Sequence, residues 1–349
     1  MLTAIQINEF LPTEFSKEDW LQYHSYAESI FREFNPRDPL PDREEQEKLL
    51  LEPDPTFTII RLMAIDNKSK KIVSVGRVSF ENDSSIDYET NKHVAFVYIS
   101  VLASHRKQGI AKAMLRQLLE ISKQNHIDIV HVEADTKAGT NFCLKMDGDL
   151  VLQEIENRLY LEDVEWDFIT DWYNKGHERT KDVTIEIYDK IPDNILTEFC
   201  KVYTQTVNQR PTGSMEQDIF VTPESRRTEE EIYADQRVLW ITFISRESTG
   251  EISGLTEFQI TPRRPYQIQQ RLTGILKKYR GRGLGKRLKA EMLMYVKEHY
   301  PHAKYISTGN AKNNIPMLSI NETLGFIQYK SFNIFKWKLQ DLLDQVHQH

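Results

Sequence analysis

Two hexapeptides carry residue types and spacing that suit phosphate chemistry. Arg106-Lys107-Gln108-Gly109-Ile110-Ala111 lies 174 positions before Arg280-Gly281-Arg282-Gly283-Leu284-Gly285. Each follows an apolar run with strand character and opens a segment with apolar residues at helical spacing. The first four N–H groups of a helix have no internal partner, and the helix dipole makes that end positive. A pyrophosphate fits there. Gly283 and Gly285 lack a Cβ, which lets phosphates approach the backbone, and Arg280 and Arg282 add charge-assisted donors at the rim. In the earlier copy Gly109 and Ala111 are small, and Arg106 and Lys107 supply charge. One such hexapeptide is a weak signal, because a basic turn with a glycine cap reads the same way. Two at matching places are a strong one. The pattern is not the dinucleotide fingerprint, which needs Gly-x-Gly-x-x-Gly and an acidic residue about 20 positions on. Nor is there a Gly-x-x-x-x-Gly-Lys-Ser/Thr loop.

The elements around these turns repeat. TAIQINEF and VTIEIYDKI read as strands, each followed by an amphipathic helix, 16–34 and 193–207. A proline and a charged helical segment come next, then the β-rich runs 57–65 and 239–245, a turn signal and a further strand. The signature strand, basic turn and helix follow, then another strand, a short helix and a closing strand pair. The shared order is β-α-α-β-β-β-α-β-α-β-β. A polar, turn-rich stretch after Asp171 places the boundary, giving domains 1–172 and 182–349 with a linker at 173–181.

Composition bounds the class. A chain of 349 residues fits two ordinary cores, and 40% hydrophobic with 28% charged residues is globular. No apolar run approaches the roughly 20 residues that span a bilayer. MLTAIQINEF has no basic flank before an apolar core, so a secretory leader is not expected. Cys143 and Cys200 lie in different halves, and no Cys/His cluster has metal-ligand spacing. A reducing cytoplasm and no metal are expected. Up to Lys175 there are 20 Lys and Arg against 31 Asp and Glu, which argues against a whole-protein nucleic-acid binder.

Both hexapeptides resemble the acyl-CoA signature of the Gcn5-related N-acetyltransferase (GNAT) family, Gln/Arg-x-x-Gly-x-Gly/Ala. The segment from Asn310 to Leu324-Gly325-Phe326 resembles that family's closing segment. The whole is similar to bacterial tandem members of the mycothiol-synthase type. The resemblance implies two α+β domains, each a mixed, mostly antiparallel sheet flanked by helices. It implies acetyl-CoA, or another acyl-CoA, as cofactor and direct attack by a primary amine of a small molecule. In the family the signature strand splays from its neighbour and pairs with the pantetheine arm. The matching backbone positions are Thr273, Ile275 and Leu276, and Ile99 and Val101 in the first half. The phosphate positions run from Arg280 through Gly281, Arg282, Gly283, Leu284 and Gly285 to Lys286. In the first half they run from Arg106 through Lys107, Gln108, Gly109 and Ile110 to Ala111. Asn310 and Asn314 would order the closing helix and touch the cofactor.

An amine with a pKa near 10.4 must lose a proton before it attacks. Glu257 is the candidate base and Tyr305 a weaker candidate acid; the repeat puts Ser79 opposite Glu257. A strand N–H near Ile275 would meet the oxyanion. The tyrosine common in the family, four residues before the Gly of Leu-Gly-Phe, is replaced by Asn321 and by Leu144. The fuller signature places the chemistry in the second half. Two alternatives stay open: a protein or peptide N-acyltransferase with an open groove, and a non-catalytic tandem domain that binds acyl-CoA. The expected state is a monomer or homodimer, with no nucleic acid and no membrane.

Overall fold

The computed structural model describes residues 5–52, 54, 56–85, 88–211 and 219–348. The chain divides into two compact units, Met1–Val151 with Asn333–His349, and Leu152–Phe332.

The sheet of the first unit runs β1 (Ile5–Glu9), β2 (Phe57–Asp66), β3 (Ile72–Glu81), β4 (Val94–Val101), β5 (Ile129–Ala134), and then the last residues of β12 (Ile327–Lys338). Only β4 and β5 are parallel. Helix α1 (Lys17–Phe34) starts on a capping box between Ser16 and Asp19, which satisfies two otherwise orphaned groups. Helices α2 (Arg43–Leu51), α3 (Tyr88–Asn91), α4 (Ile110–Gln124), α5 (Lys137–Lys145) and α11 (Leu339–Gln348) complete the unit. Ile110, Met114, Leu115, Leu118 and Leu119 recur at helical spacing on α4 and pack with Val73, Val97 and Val130 in one core.

The second unit repeats the plan. Its strands are β6 (Asp149–Tyr160), β7 (Val183–Tyr188), β8 (Leu239–Glu247), β9 (Ile252–Ile260), β10 (Gln267–Ile275) and β11 (Tyr305–Ala311), in the order β6-β11-β10-β9-β8-β7. Its helices are α6 (Trp166–Arg179), α7 (Asp193–Val207), α8 (Pro223–Asp235), α9 (Leu284–His299) and α10 (Ile315–Thr323). Strand β9 is buried at all nine positions because α7 and α9 cover its two faces. The pairing of β10 with β11 is parallel and the other pairings are antiparallel.

Two features differ from the sequence reading. The expected closing strand pair is one strand of 12 residues in each half. These two strands are exchanged: β6 pairs with β11, and Asn333–Lys338 of β12 pair with β5. The compact units therefore follow strand pairing and not the halves 1–172 and 182–349. The expected linker 173–181 also lies within the second unit, and α6 runs through it to Arg179. Trp166, Phe168, Ile169 and Trp172 give α6 an apolar side that joins the core beside α9. A Cβ on Gly176 would meet the Arg287 side chain at 3.0 Å, so glycine permits this close approach. Arg287 then donates to the carbonyl oxygens of Thr180 (2.8 Å) and Val183 (3.0 Å), fixing the path out of the helix.

Among the described residues no helix is long and apolar enough to cross a membrane, and no group of three or more His, Cys, Asp or Glu could hold a metal ion. Cys143 and Cys200 are buried thiols, pushed up by burial to about 12 and about 11.

Candidate functional site

The site of the second unit begins where β10 leaves its parallel neighbour. Gln267 to Gln270 pair with Tyr305 to Thr308 of β11, and β10 then diverges. On its other side the pairing with β9 shifts register between Gln270 and Thr273 and resumes at Thr273, Gly274 and Ile275. This is a bulge, and its origin is visible in the repeat. From Gln270 to Gly283 there are 13 steps; from Val97, the last parallel-paired residue of β4, to Gly109 there are 12. The extra residue disrupts the ladder at the place where the strand meets a cleft.

That cleft has a volume of about 790 Å³, and Thr273, Gly274 and Ile275 form one wall. Its far end is the turn from Tyr279 to Gly283 and the first turn of α9. Gly281 and Gly283 have φ of 83° and 85°, the left-handed region that favours glycine. A Cβ at Gly283 would meet nothing within 4 Å, so conformation, not crowding, demands glycine there. The first helical bond runs from Arg287 N–H to Gly283 O at 3.0 Å, which leaves the preceding amides of the first turn outside the helix ladder. Among the described residues Arg179, Arg210, Arg280, Arg282 and Lys286 line the cleft and no carboxylate does. Arg280 donates its Nε to Ile275 O at 3.2 Å and bonds the neutral Gln209. Arg282 instead is paired with Glu247 at 2.7 Å and Asp182 at 3.0 Å, which raise its pKa. Its charge is thus largely committed to the fold.

The structure brings together at the cleft Thr273, Ile275, the run from Arg280 to Lys286, and Asn314. Leu276 is not in the lining; it is buried, and its N–H donates to Ser253 O at 2.9 Å. Asn310 stands one step back, accepting from Asn321 Nδ2 at 2.7 Å. Glu257 is fully buried on the sheet face that carries α8. Its Oε1 accepts from Arg226 and from the Thr242 hydroxyl, both at 2.9 Å. Arg226 also holds Glu230 at 3.0 Å and lies 3.6 Å over the Trp240 ring. Tyr305 is at the other end of the sheet: it pairs with Gln267, six residues before Thr273 or about 20 Å along the strand. Its ring packs under the Arg158 guanidinium at 4.2 Å. Strand register puts Arg77, not Ser79, at the place of Glu257, since Val78 faces Val97 as Phe258 faces Gln270.

The first unit has the same turn with different chemistry. Gly109 has φ 84° and opens α4, with Ala113 N–H bonded to Gly109 O at 3.0 Å. Lys107, in the place of Gly281, also has a positive φ, 61°. Arg106 donates its Nε to Val101 O at 2.9 Å, as Arg280 does to Ile275, but its two terminal nitrogens go to Glu33 at 2.6 and 2.7 Å. Gln108 donates to Ser104 O at 3.3 Å. Ile99 and Val101 pair with β3 in unbroken register opposite Gly76 and Ser74, without a bulge. Ile110 is core, and Ala111 packs against it half-buried.

Sequence reasoning missed Gln209 and Arg210, which come from the segment after α7, and the buried Lys289 of α9. A signal for Lys289 was present: it is the sixth residue after Gly283, where the first half has Leu115, a core residue.

The profile of the Acetyltransferase (GNAT) family matches residues 20–147. A tandem GNAT protein from the clavulanic acid biosynthesis pathway superposes with a TM-score of 0.73 at 16% identity, over 96% of this chain and 98% of its own. A GCN5-related N-acetyltransferase from Sphaerobacter thermophilus gives 0.68 at 11% identity over 96% of both chains. A glucosamine N-acetyltransferase region of a fungal multi-domain β-N-acetylglucosaminidase gives 0.65 at 12% identity, over 95% of this chain and 38% of that one. No curated protein matches the chain in sequence. Residues 20–147 thus match the acetyltransferase (GNAT) family, and the chain as a whole shares the fold of tandem GNAT proteins.

Proposed function

We propose that the chain transfers an acyl group from acetyl-CoA, or another acyl-CoA, to a primary amine of a small molecule, with the second unit carrying the reaction. The observation that supports this reading best is the bulged end of β10 running directly into a glycine turn whose cleft is lined, among the described residues, by cationic and no anionic side chains. Amides of the first turn of α9, with Arg280 and Lys286, would hold a pyrophosphate. The diverging edge of Thr273 to Ile275 would hold an extended amide-bearing arm by strand-like hydrogen bonds. Acyl-CoA supplies an activated thioester when bound there. A donor on this edge would meet negative charge developing at the reacting carbonyl.

Glu257 is our candidate for the base on the acceptor side. Its Oε2 is buried and lacks a hydrogen-bond partner among the described residues, whereas Oε1 is held by Arg226. An incoming amine would lose its proton to that oxygen through water. The segment after α7 that would cover the acceptor includes residues 212–218, which lie outside the described residues. The first unit is proposed as scaffold, because Glu33 neutralises its turn arginine. The test is CoA release from acetyl-CoA across a panel of amines. Release with small amines supports the proposal, release with peptides alone favours a peptide acyltransferase, and binding without any release favours a sensor.

A further inference from the structure

The second unit contains a chain of polar side chains that the first unit replaces with apolar ones. Lys289 is 1% exposed, and its Nζ donates to Gln270 Oε1 at 2.8 Å and to Asn321 Oδ1 at 2.7 Å. Gln270 Nε2 donates to the Thr273 hydroxyl at 3.1 Å, and the Thr273 and Thr256 hydroxyls lie 2.7 Å apart. Asn321 Nδ2 donates to Asn310 Oδ1 at 2.7 Å. The matching residues in the first unit are Leu115 for Lys289, Val97 for Gln270, Ala134 for Asn310 and Cys143 for Asn321, whose carbonyl closes its helix as that of Asn321 does. A core built of leucine, valine, alanine and cysteine satisfies the same fold in the first unit, so the fold does not require the polar version.

The network has a direction. An ammonium donates and cannot accept, so it turns the carbonyl oxygen of Gln270 toward itself. The Gln270 amide must then donate, at 3.1 Å to Thr273 and at 3.4 Å to Thr256, and when Thr256 donates across its 2.7 Å contact the Thr273 hydroxyl has its own proton to give. Thr273 lines the cleft at the point where β10 separates from β11. We propose that Lys289 is a positioning residue that, through Gln270, sets Thr273 as a hydrogen-bond donor toward the thioester end of the cleft, where negative charge forms on transfer. This rests on the acyl-CoA reading above.

The groups facing Lys289 are Gln270 from β10, Asn321 from α10 and the Phe326 ring, 5.4 Å away; none of them is titratable. Burial alone lowers its pKa to about 7, so the charge that orients the chain is present below that pH and declines above it. In the protonated state the network stabilises a thiolate or oxyanion beyond Thr273. In the neutral state the amine can itself accept, and the orientation is no longer forced.

The test uses the full chain saturated with CoA, whose thiol is followed by thiolate absorbance during a pH titration. In the wild-type complex the thiol should ionise at lower pH than in free CoA. In Lys289→Met, which keeps the volume without the donor, the thiolate fraction at pH 7 and below, where the lysine carries its charge, should fall about tenfold. CoA affinity should stay within about threefold, because Lys289 does not line the cleft. Thr273→Val cuts the last link with the lysine intact and should produce the same fall, and it decides the matter if Lys289→Met does not fold. Equal thiol ionisation in wild type and both variants overturns the positioning role. Failure of the wild type to bind CoA at all overturns the acyl-CoA reading instead.

Discussion

Arg106 gives both terminal nitrogens to the Glu33 carboxylate, whereas Arg280, in the same turn of the second unit, bonds the neutral side chain of Gln209. One arginine has an oppositely charged partner and the other a neutral one. Gln209→Glu would give the second unit the arrangement of the first. CoA affinity should fall about tenfold or more, and the melting temperature should hold within about 2 °C, since the site is exposed. Calorimetric titration and a thermal melt check this pair of outcomes.

Gly283 has φ 85° with open space where a Cβ would point. Gly283→Ala therefore introduces backbone strain without a clash, about 1–2 kcal/mol. Urea unfolding should show that loss. The equivalent change at Gly250, φ 90° in the turn after β8, should give a similar loss of stability with no effect on CoA binding.

Lys289 makes stability depend on pH. Its folded pKa of about 7 lies below the ordinary 10.5, so between these values the unfolded chain binds more protons than the folded one. Stability contributed by this site is therefore lost as pH falls from about 10.5 to about 7, and no further loss follows below 7. Lys289→Met removes this dependence. The difference in unfolding free energy between variant and wild type should be largest at pH 6 to 7 and shrink toward pH 10.

Glu257 and Arg226 form a buried pair, and removing one partner of such a pair is strongly destabilising. Glu257→Leu should lower stability by about 3 kcal/mol, the low end of the range, because Arg226 retains Glu230 at 3.0 Å. Glu257→Gln, which keeps the shape and an acceptor for Arg226, should lose much less stability. If Glu257 is the base, that variant should nevertheless lose about 10²-fold or more in kcat with amines. Parallel denaturation and steady-state rates separate the two roles.

The repeat and the two turns were legible because they rest on local physics. Glycine at positive φ, a strand feeding a helix and paired basic residues leave a short, dense pattern in the chain. The exchange of β6 and β12 was not legible, since each strand has the same alternation whichever sheet it completes. The boundary misled for a related reason: polar residues after Asp171 cover the outer side of α6, whose inner side is apolar. Tyr305 entered as a candidate acid by residue type, and only register shows it at the far end of the sheet. Lys289 could have been found by comparing the two copies position by position, because a lysine where the partner copy has Leu115 is unusual in a core.

The most direct measurement is a calorimetric titration of CoA into the wild-type chain and into Gly283→Glu. The wild type should bind one CoA per chain with millimolar or tighter affinity, and the variant, with a carboxylate placed at the mouth of the α9 amides, should bind none. Heat of binding that is absent from the wild type, or unchanged in the variant, would contradict a diphosphate seated on that turn.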